Sequence, residues 1–256
     1  MIGFFDSGIG GLTVLYEALK ILPNERFLYF SDGENAPYGV RPKEEVKQLV
    51  LNAVAFMAQQ PLKALVIACN TATSVAIEDL RQKYDFPIIG MEPAVKPALA
   101  LAAPKRVLVF ATNLTLQLEK FQQLVDRVDT DNRVDYLPLQ ELVMVAERFE
   151  FDQTSILHYL HQKLSGFNLN HYGAVVLGCT HFPFFKSYMR QALPAHIHIV
   201  DGNEGTVRNL RNKIHPQIHP GPANIQYFIS QKPQSAPYFE RYLDWMRLQD
   251  TMDLPE

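Results

Sequence analysis

"LVIACNTATS" occupies residues 65–74 and "VVLGCTHFPF" residues 175–184. Each is a short apolar run that stops at a cysteine. Polar residues follow at once: Asn70 and Thr71 after Cys69, Thr180 and His181 after Cys179. These are the only 2 cysteines in 256 residues. Runs such as "ALVIA" and "AVVLG" are apolar at every position, the pattern of strands covered by helices on both faces. Similar β-rich runs recur at 2–5, 27–30, 64–68, 87–90, 106–110, 134–137, 174–177, 198–200 and 225–228. Helical patterns lie between them. One covers 12–21 and stops before Pro23. A second covers 43–59, with Val46, Leu49, Val50, Ala53 and Val54 on one face. A third runs from near Thr73 to near Tyr84. Strand and helix alternating at this spacing predict parallel sheets in an α/β fold.

Both cysteines then stand at the C-terminal ends of buried strands, where α/β folds bind ligands. The matching positions predict two similar parallel-sheet α/β halves with an active site in the cleft between them. Pro93, Pro97 and Pro104 mark a first crossing near 92–105, and a second falls near 201–206. The expected division is 1–92 plus 206–256 for the half carrying Cys69, and 93–205 for the half carrying Cys179.

The composition is that of a globular chain, 47% hydrophobic and 20% charged, with formal net charge -3. That balance gives no electrostatic reason to expect nucleic acid or a membrane surface as partner. Met1 leads directly into "IGFFDSGIGG", without the basic and apolar regions of a signal peptide, so a cytoplasmic location is expected. Two cysteines are too few for a disulfide framework or a cysteine-rich zinc site.

A single cysteine at a strand end is most often a small buried hydrophobe. Two in matching places, each followed by polar residues at the start of a helix, read differently. Backbone N–H groups at a helix N-terminus favour an anion, so a thiolate there is expected to be stabilised. Two opposed thiols suit inversion of a carbon centre: one takes a proton from one face and the other returns one to the opposite face. "FFDSGIGG" at 4–11 ends a strand and turns through glycines into a helix. Its spacing is not that of a dinucleotide-binding loop. Asp6 and Ser7 either project into the crevice, with the glycines letting backbone approach a small ligand, or cap the helix. "APYGVRP" at 36–42 reads by itself as a turn. His181 is a candidate to tune Cys179, and Glu147 in "VAERFE" either orients His181 or lies on a solvated helix face, which the sequence alone favours.

Taken together, "GFFDSGIGGLTVL", "APYG", "ACNTAT", "LGCTHFP" and the closing "YFISQKPQSAPYFERYLDWM" resemble the cofactor-independent glutamate racemases of the aspartate/glutamate racemase superfamily. The resemblance spans most of the chain. It implies two α/β domains and no cofactor or metal, with Cys69 acting on the D-enantiomer and Cys179 on the L-enantiomer. It further implies that Asp6 supports Cys69, that His181 with Glu147 supports Cys179, and that Ser7, Tyr38, Gly39, Asn70, Thr71 and Thr180 hold the substrate. Members supply D-glutamate for peptidoglycan and are often homodimers. Three places depart from the family's pattern. A threonine-rich loop reads Ala111-Thr112-Asn113-Leu114-Thr115 and keeps Thr112 and Thr115 as lining residues. The segment before Glu147 lacks a proline often found there. A late turn reads Asp201-Gly202-Asn203. The alternatives are racemisation of aspartate or another acidic amino acid, a non-catalytic binding relative, and redox chemistry of the cysteine pair. Pyridoxal phosphate chemistry is disfavoured, because it needs a Schiff-base lysine and Lys96 in "PAVKPA" reads as structural.

Overall fold

A computed structural model describes residues 1–216, 221 and 223–252. Among the described residues ten strands are formed: β1 (Ile2–Asp6), β2 (Arg26–Ser31), β3 (Ala64–Ile67), β4 (Ile88–Gly90), β5 (Arg106–Ala111), β6 (Val134–Pro138), β7 (Tyr172–Leu177), β8 (His198–Asp201), β9 (Asn224–Ile229) and β10 (Lys232–Gln234). The helices of the first half of the chain are α1 (Leu12–Ile21), α2 (Lys43–Met57), α3 (Asn70–Lys83), α4 (Val95–Ala102), α5 (Asn113–Gln117) and α6 (Glu119–Val128). Those that follow are α7 (Gln140–Glu147), α8 (Gln153–Leu164), α9 (Lys186–Ala192), α10 (Asn203–Lys213) and α11 (Ala236–Met252). None of the described helices is long and apolar enough to cross a membrane.

The strands make two sheets, ordered β10-β9-β2-β1-β3-β4 and β6-β5-β7-β8. Within them β2-β1-β3-β4 and β6-β5-β7-β8 are both all-parallel and follow the same order. The chain therefore builds one α/β motif twice. In each copy the direction of winding reverses beside the first strand, so a crevice opens beyond its C-terminal end and that of the third.

Alternation along the strands sorts side chains into two cores that run through both sheets. Phe4, Tyr29, Val66, Phe110 and Leu177 enter one, and Phe5, Phe30, Ile67, Val109 and Val176 the other. This is the period of 2 that a pleated strand imposes, with helices covering both faces.

The structure differs from the sequence reading at three places. Helix α3 starts at Asn70 rather than near Thr73, because Cys69 itself is its N-cap. The proline-marked crossing holds α4, a helix that the reading did not include, with Pro97 in the first turn, where a missing N–H removes no helical bond. The sheet containing β1 is not wholly parallel: β10 pairs antiparallel with β9 at its edge. Its three exposed residues, Lys-Pro-Gln, carry no apolar alternation by which to find them.

Helix α11 ties the last element of the chain to the half carrying Cys179. The Trp245 ring stacks on Phe151 at 4.6 Å, and its indole N–H donates to the Phe184 carbonyl at 2.9 Å. Phe184 is fully buried in the turn that follows Cys179. Phe184→Ala is expected to lower stability by about 3–5 kcal/mol, the usual cost of deleting a buried ring. Denaturant unfolding followed by the fluorescence of Trp245, the only tryptophan, checks this.

Candidate active site

The strand ends deliver the polar residues. Asp6 and Ser7 follow β1, Cys69 and Asn70 follow β3, Thr112 follows β5, and Cys179 and Thr180 follow β7. One narrow cavity lies between the two copies of the motif. Ser7, Tyr38, Gly39, Cys69, Asn70, Thr71, Thr112, Cys179, Thr180 and His181 line it, all of them expected. The remaining three expected residues stand directly behind these. The Asp6 carboxylate accepts from Thr180 Oγ1 at 3.1 Å. Thr115 Oγ1 is 2.9 Å from the hydroxyls of both Thr71 and Thr112. Glu147 Oε1 is 2.7 Å from His181 Nε2. Sequence reasoning missed Pro37, Gln140, Val143 and Gly178. Gln140 left a readable signal, for it is the first polar side chain after the C-terminal end of β6.

The glycines of "DSGIGG" make room for protein rather than ligand. A Cβ on Gly8 would lie 1.7 Å from Glu147 Oε1, and one on Gly10 would lie 2.4 Å from Thr180 Oγ1. Both neighbours come from the other copy of the motif, and each needs a side-chain-free stretch of backbone to dock on. The helix-cap reading of Asp6 and Ser7 is also not met. The N-cap of α1 is Gly11, and the Asp6 carboxylate accepts instead from the Gly8 N–H at 3.1 Å.

The two thiols are both free and buried, but their surroundings differ. Cys69 caps α3, its Sγ accepting from the Ala72 N–H at 3.4 Å. The helix start acts on its thiolate in the expected direction, but other effects outweigh it. Burial first, and the Asp6 charge next, push the Cys69 thiol up to about 12, more than the Ala72 N–H and Ser7 can offset. Cys179 is followed by the short 3-10 turn Phe182–Phe185 instead of an α-helix. Its Sγ lies 3.6 Å from Nδ1 of His181. Burial disfavours the His181 imidazolium, but hydrogen bonds to Cys179 and Glu147 and their charges outweigh it and raise His181 well above the usual histidine range. Cys69 is thus held toward its neutral thiol, while the His181 beside Cys179 is held toward its imidazolium.

Tyr38 turns its hydroxyl away from the cavity to donate to Asp32 at 2.5 Å, leaving its ring and backbone at the wall. Asp32 also accepts from Ser230 at 2.9 Å, so the Tyr38 turn is pinned to the end of β9. Among the described residues, no lysine or arginine lines the cavity. Neutral amides and hydroxyls therefore supply most of its capacity to bind anions.

Burial raises the Asp6 carboxyl from 3.8 to about 6, with the His181 charge and the Gly8 N–H acting the other way. A raised folded-state value stabilises the fold fully at pH values below the unfolded one, and this contribution is lost as pH rises through about 6. In Asp6→Asn the amide can still accept from the Gly8 N–H and donate to Thr180. This variant is expected to gain stability over the parent at pH 8 and to match it near pH 4, a difference that denaturant unfolding at the two pH values reads out.

The family model for Asp/Glu/Hydantoin racemase matches residues 17–210. The chain is 54% identical over 211 residues to a glutamate racemase of Halothermothrix orenii, covering 82% of this chain and 83% of that one. It is 52% identical over 233 residues to "Glutamate racemase 2" of Bacillus subtilis, covering 90% and 88%. Among solved structures, glutamate racemase RacE1 of Bacillus anthracis superposes with a TM-score of 0.83 at 31% identity, covering 94% of this chain and 91% of that one. The Escherichia coli glutamate racemase, solved with L-glutamate and the activator UDP-MurNAc-ala, superposes with a TM-score of 0.79 at 28% identity, covering 94% of each chain. The fold is thus shared with these enzymes, and the chain belongs to the Asp/Glu/hydantoin racemase family.

Proposed function

We propose that this protein is a glutamate racemase that interconverts L- and D-glutamate by two-base proton transfer, without a cofactor. The observation that carries this reading is the pair of buried thiols at equivalent strand ends, one on each side of a single cavity lined with amides and hydroxyls. In the L-to-D direction Cys179 takes the Cα proton, aided by the neighbouring His181 imidazolium. The electron pair left on Cα is delocalised into the α-carboxylate, which Asn70, Thr71 and backbone N–H groups hold. The neutral Cys69 thiol then delivers its proton to the opposite face. The roles reverse for D-glutamate. With Asp6 ionised, Thr180 donates its hydroxyl hydrogen to that carboxylate and offers lone pairs to the substrate ammonium. Fixed donors in a dry cavity stabilise the developing charge more than water would, because they need no reorganisation.

The test is incubation with L-glutamate in D₂O, with L-aspartate in parallel, following optical rotation and deuterium at Cα. Deuterated D-glutamate is expected. Cys69→Ala and Cys179→Ala should each slow racemisation by at least about 100-fold, the low end of what a general acid or base contributes. Parent-like turnover in either variant would sink the two-thiol mechanism, and exchange with aspartate alone would replace the substrate.

We further propose that residues 1–92 with 206–256 and residues 93–205 close on the substrate as two units, and that the protein works as a cytoplasmic homodimer supplying D-glutamate for peptidoglycan. Small-angle scattering tests the first two points: twice the chain mass is expected, with a radius of gyration that falls when glutamate is added. A monomer, or a radius unmoved by saturating glutamate, would count against them.

A further inference from the structure

Among the described residues, two side-chain amides at the cavity are buried with neither the oxygen nor the nitrogen hydrogen-bonded: Asn70 and Gln140. Buried polar groups are almost always partnered, so an amide left open in a cavity wall is suited to a ligand. Asn70 adjoins Cys69 and belongs to the reacting end. Gln140 stands elsewhere. It is the first residue of α7, on the half that carries Cys179, and its side chain reaches across to the other half. A Cβ on Gly39 would lie 2.5 Å from Gln140 Oε1 and 2.8 Å from Thr112 Cβ, so the carboxamide packs in the space that Gly39 leaves, beside Thr112. The Asp6–Thr180 and His181–Glu147 side-chain pairs are hydrogen-bonded without it.

An acidic amino acid has two anionic ends. Its ammonium is favoured near the Asp6 carboxylate, and its Cα must lie between the thiols. The second carboxylate therefore extends toward Gly39, Thr112 and Gln140, where no lining side chain is anionic. We propose that Gln140 donates its side-chain amide to this distal carboxylate and so reads the length of the acidic side chain. The inference rests on the acidic amino-acid reading above. Aspartate is one methylene shorter than glutamate, and a hydrogen bond tolerates only a few tenths of an ångström of extra reach. A donor fixed at the helix start thus discriminates by distance.

The experiment compares the parent with Gln140→Ala and Gln140→Met, the latter keeping the side-chain length without the donor. It measures kcat and KM for both glutamate enantiomers, inhibition by glutarate and by 2-aminobutyrate, and the melting temperature. A hydrogen bond to a charged group predicts that KM for glutamate and the inhibition constant for glutarate rise about 10- to 100-fold in both variants. The constant for 2-aminobutyrate, which lacks the distal carboxylate, should stay unchanged, and kcat should move only a few-fold. Parent-like KM and glutarate inhibition in Gln140→Met would overturn the assignment. So would weakening of glutarate and 2-aminobutyrate by the same factor, which marks a structural role. An inactive parent on both glutamate and aspartate would instead overturn the functional reading, and this inference with it.

Discussion

One carboxylate oxygen holds the site together. Glu147 Oε1 accepts from the Ile9 N–H at 2.9 Å and meets His181 Nε2 at 2.7 Å. Ile9 belongs to the turn after β1 in one copy of the motif, while Glu147 and His181 belong to the other. The same atom therefore joins the two halves and sets the charge beside Cys179. The contact exists only because Gly8 has no side chain for the carboxylate to strike. From the far side, the Tyr242 hydroxyl donates to the Glu147 carbonyl at 3.1 Å, so α11 braces the end of α7. A carboxylate this enclosed is costly to bury alone, and its hydrogen-bonded partners in the turn and on His181 compensate that cost.

The doubled motif explains why the site is where it is. Each parallel sheet reverses its winding next to its first strand, and the crevice at that point cannot be filled by the sheet's own helices. When two such sheets are set with their crevices facing, the strand ends are the positions from which short side chains reach a common space. Cysteine, threonine, asparagine and serine suffice there. The resulting cavity is chemically asymmetric despite the repeated fold. Burial and the Asp6 charge push the Cys69 thiol up, while hydrogen bonds to Cys179 and Glu147 raise His181 beside Cys179.

Much of this was legible in the chain. All nine expected strands are present, because runs such as "ALVI" and "GAVVL" are apolar at successive positions only where both faces are covered. The thirteen expected site residues either line the cavity or stand directly behind those that do, since strand ends followed by polar residues mark the crevice of any α/β fold. The antiparallel edge strand β10 and the helix α4 inside a proline-rich stretch were not legible. The first is too short and polar to carry a period, and the second has a proline that a first turn tolerates.

By itself the sequence determined the α/β class, the placing of both thiols at strand ends and the family's motifs, because these depend on local periodicity and on residue order. Only the tertiary structure decided the rest. It showed that the glycines after Asp6 seat Glu147, Thr180 and His181, that Tyr38 spends its hydroxyl on Asp32, and that Gln140 faces the cavity unpartnered. It also showed the favourable effect of a helix start on Cys69 outweighed, since desolvation and a nearby carboxylate act through space and depend on distances that residue order does not carry.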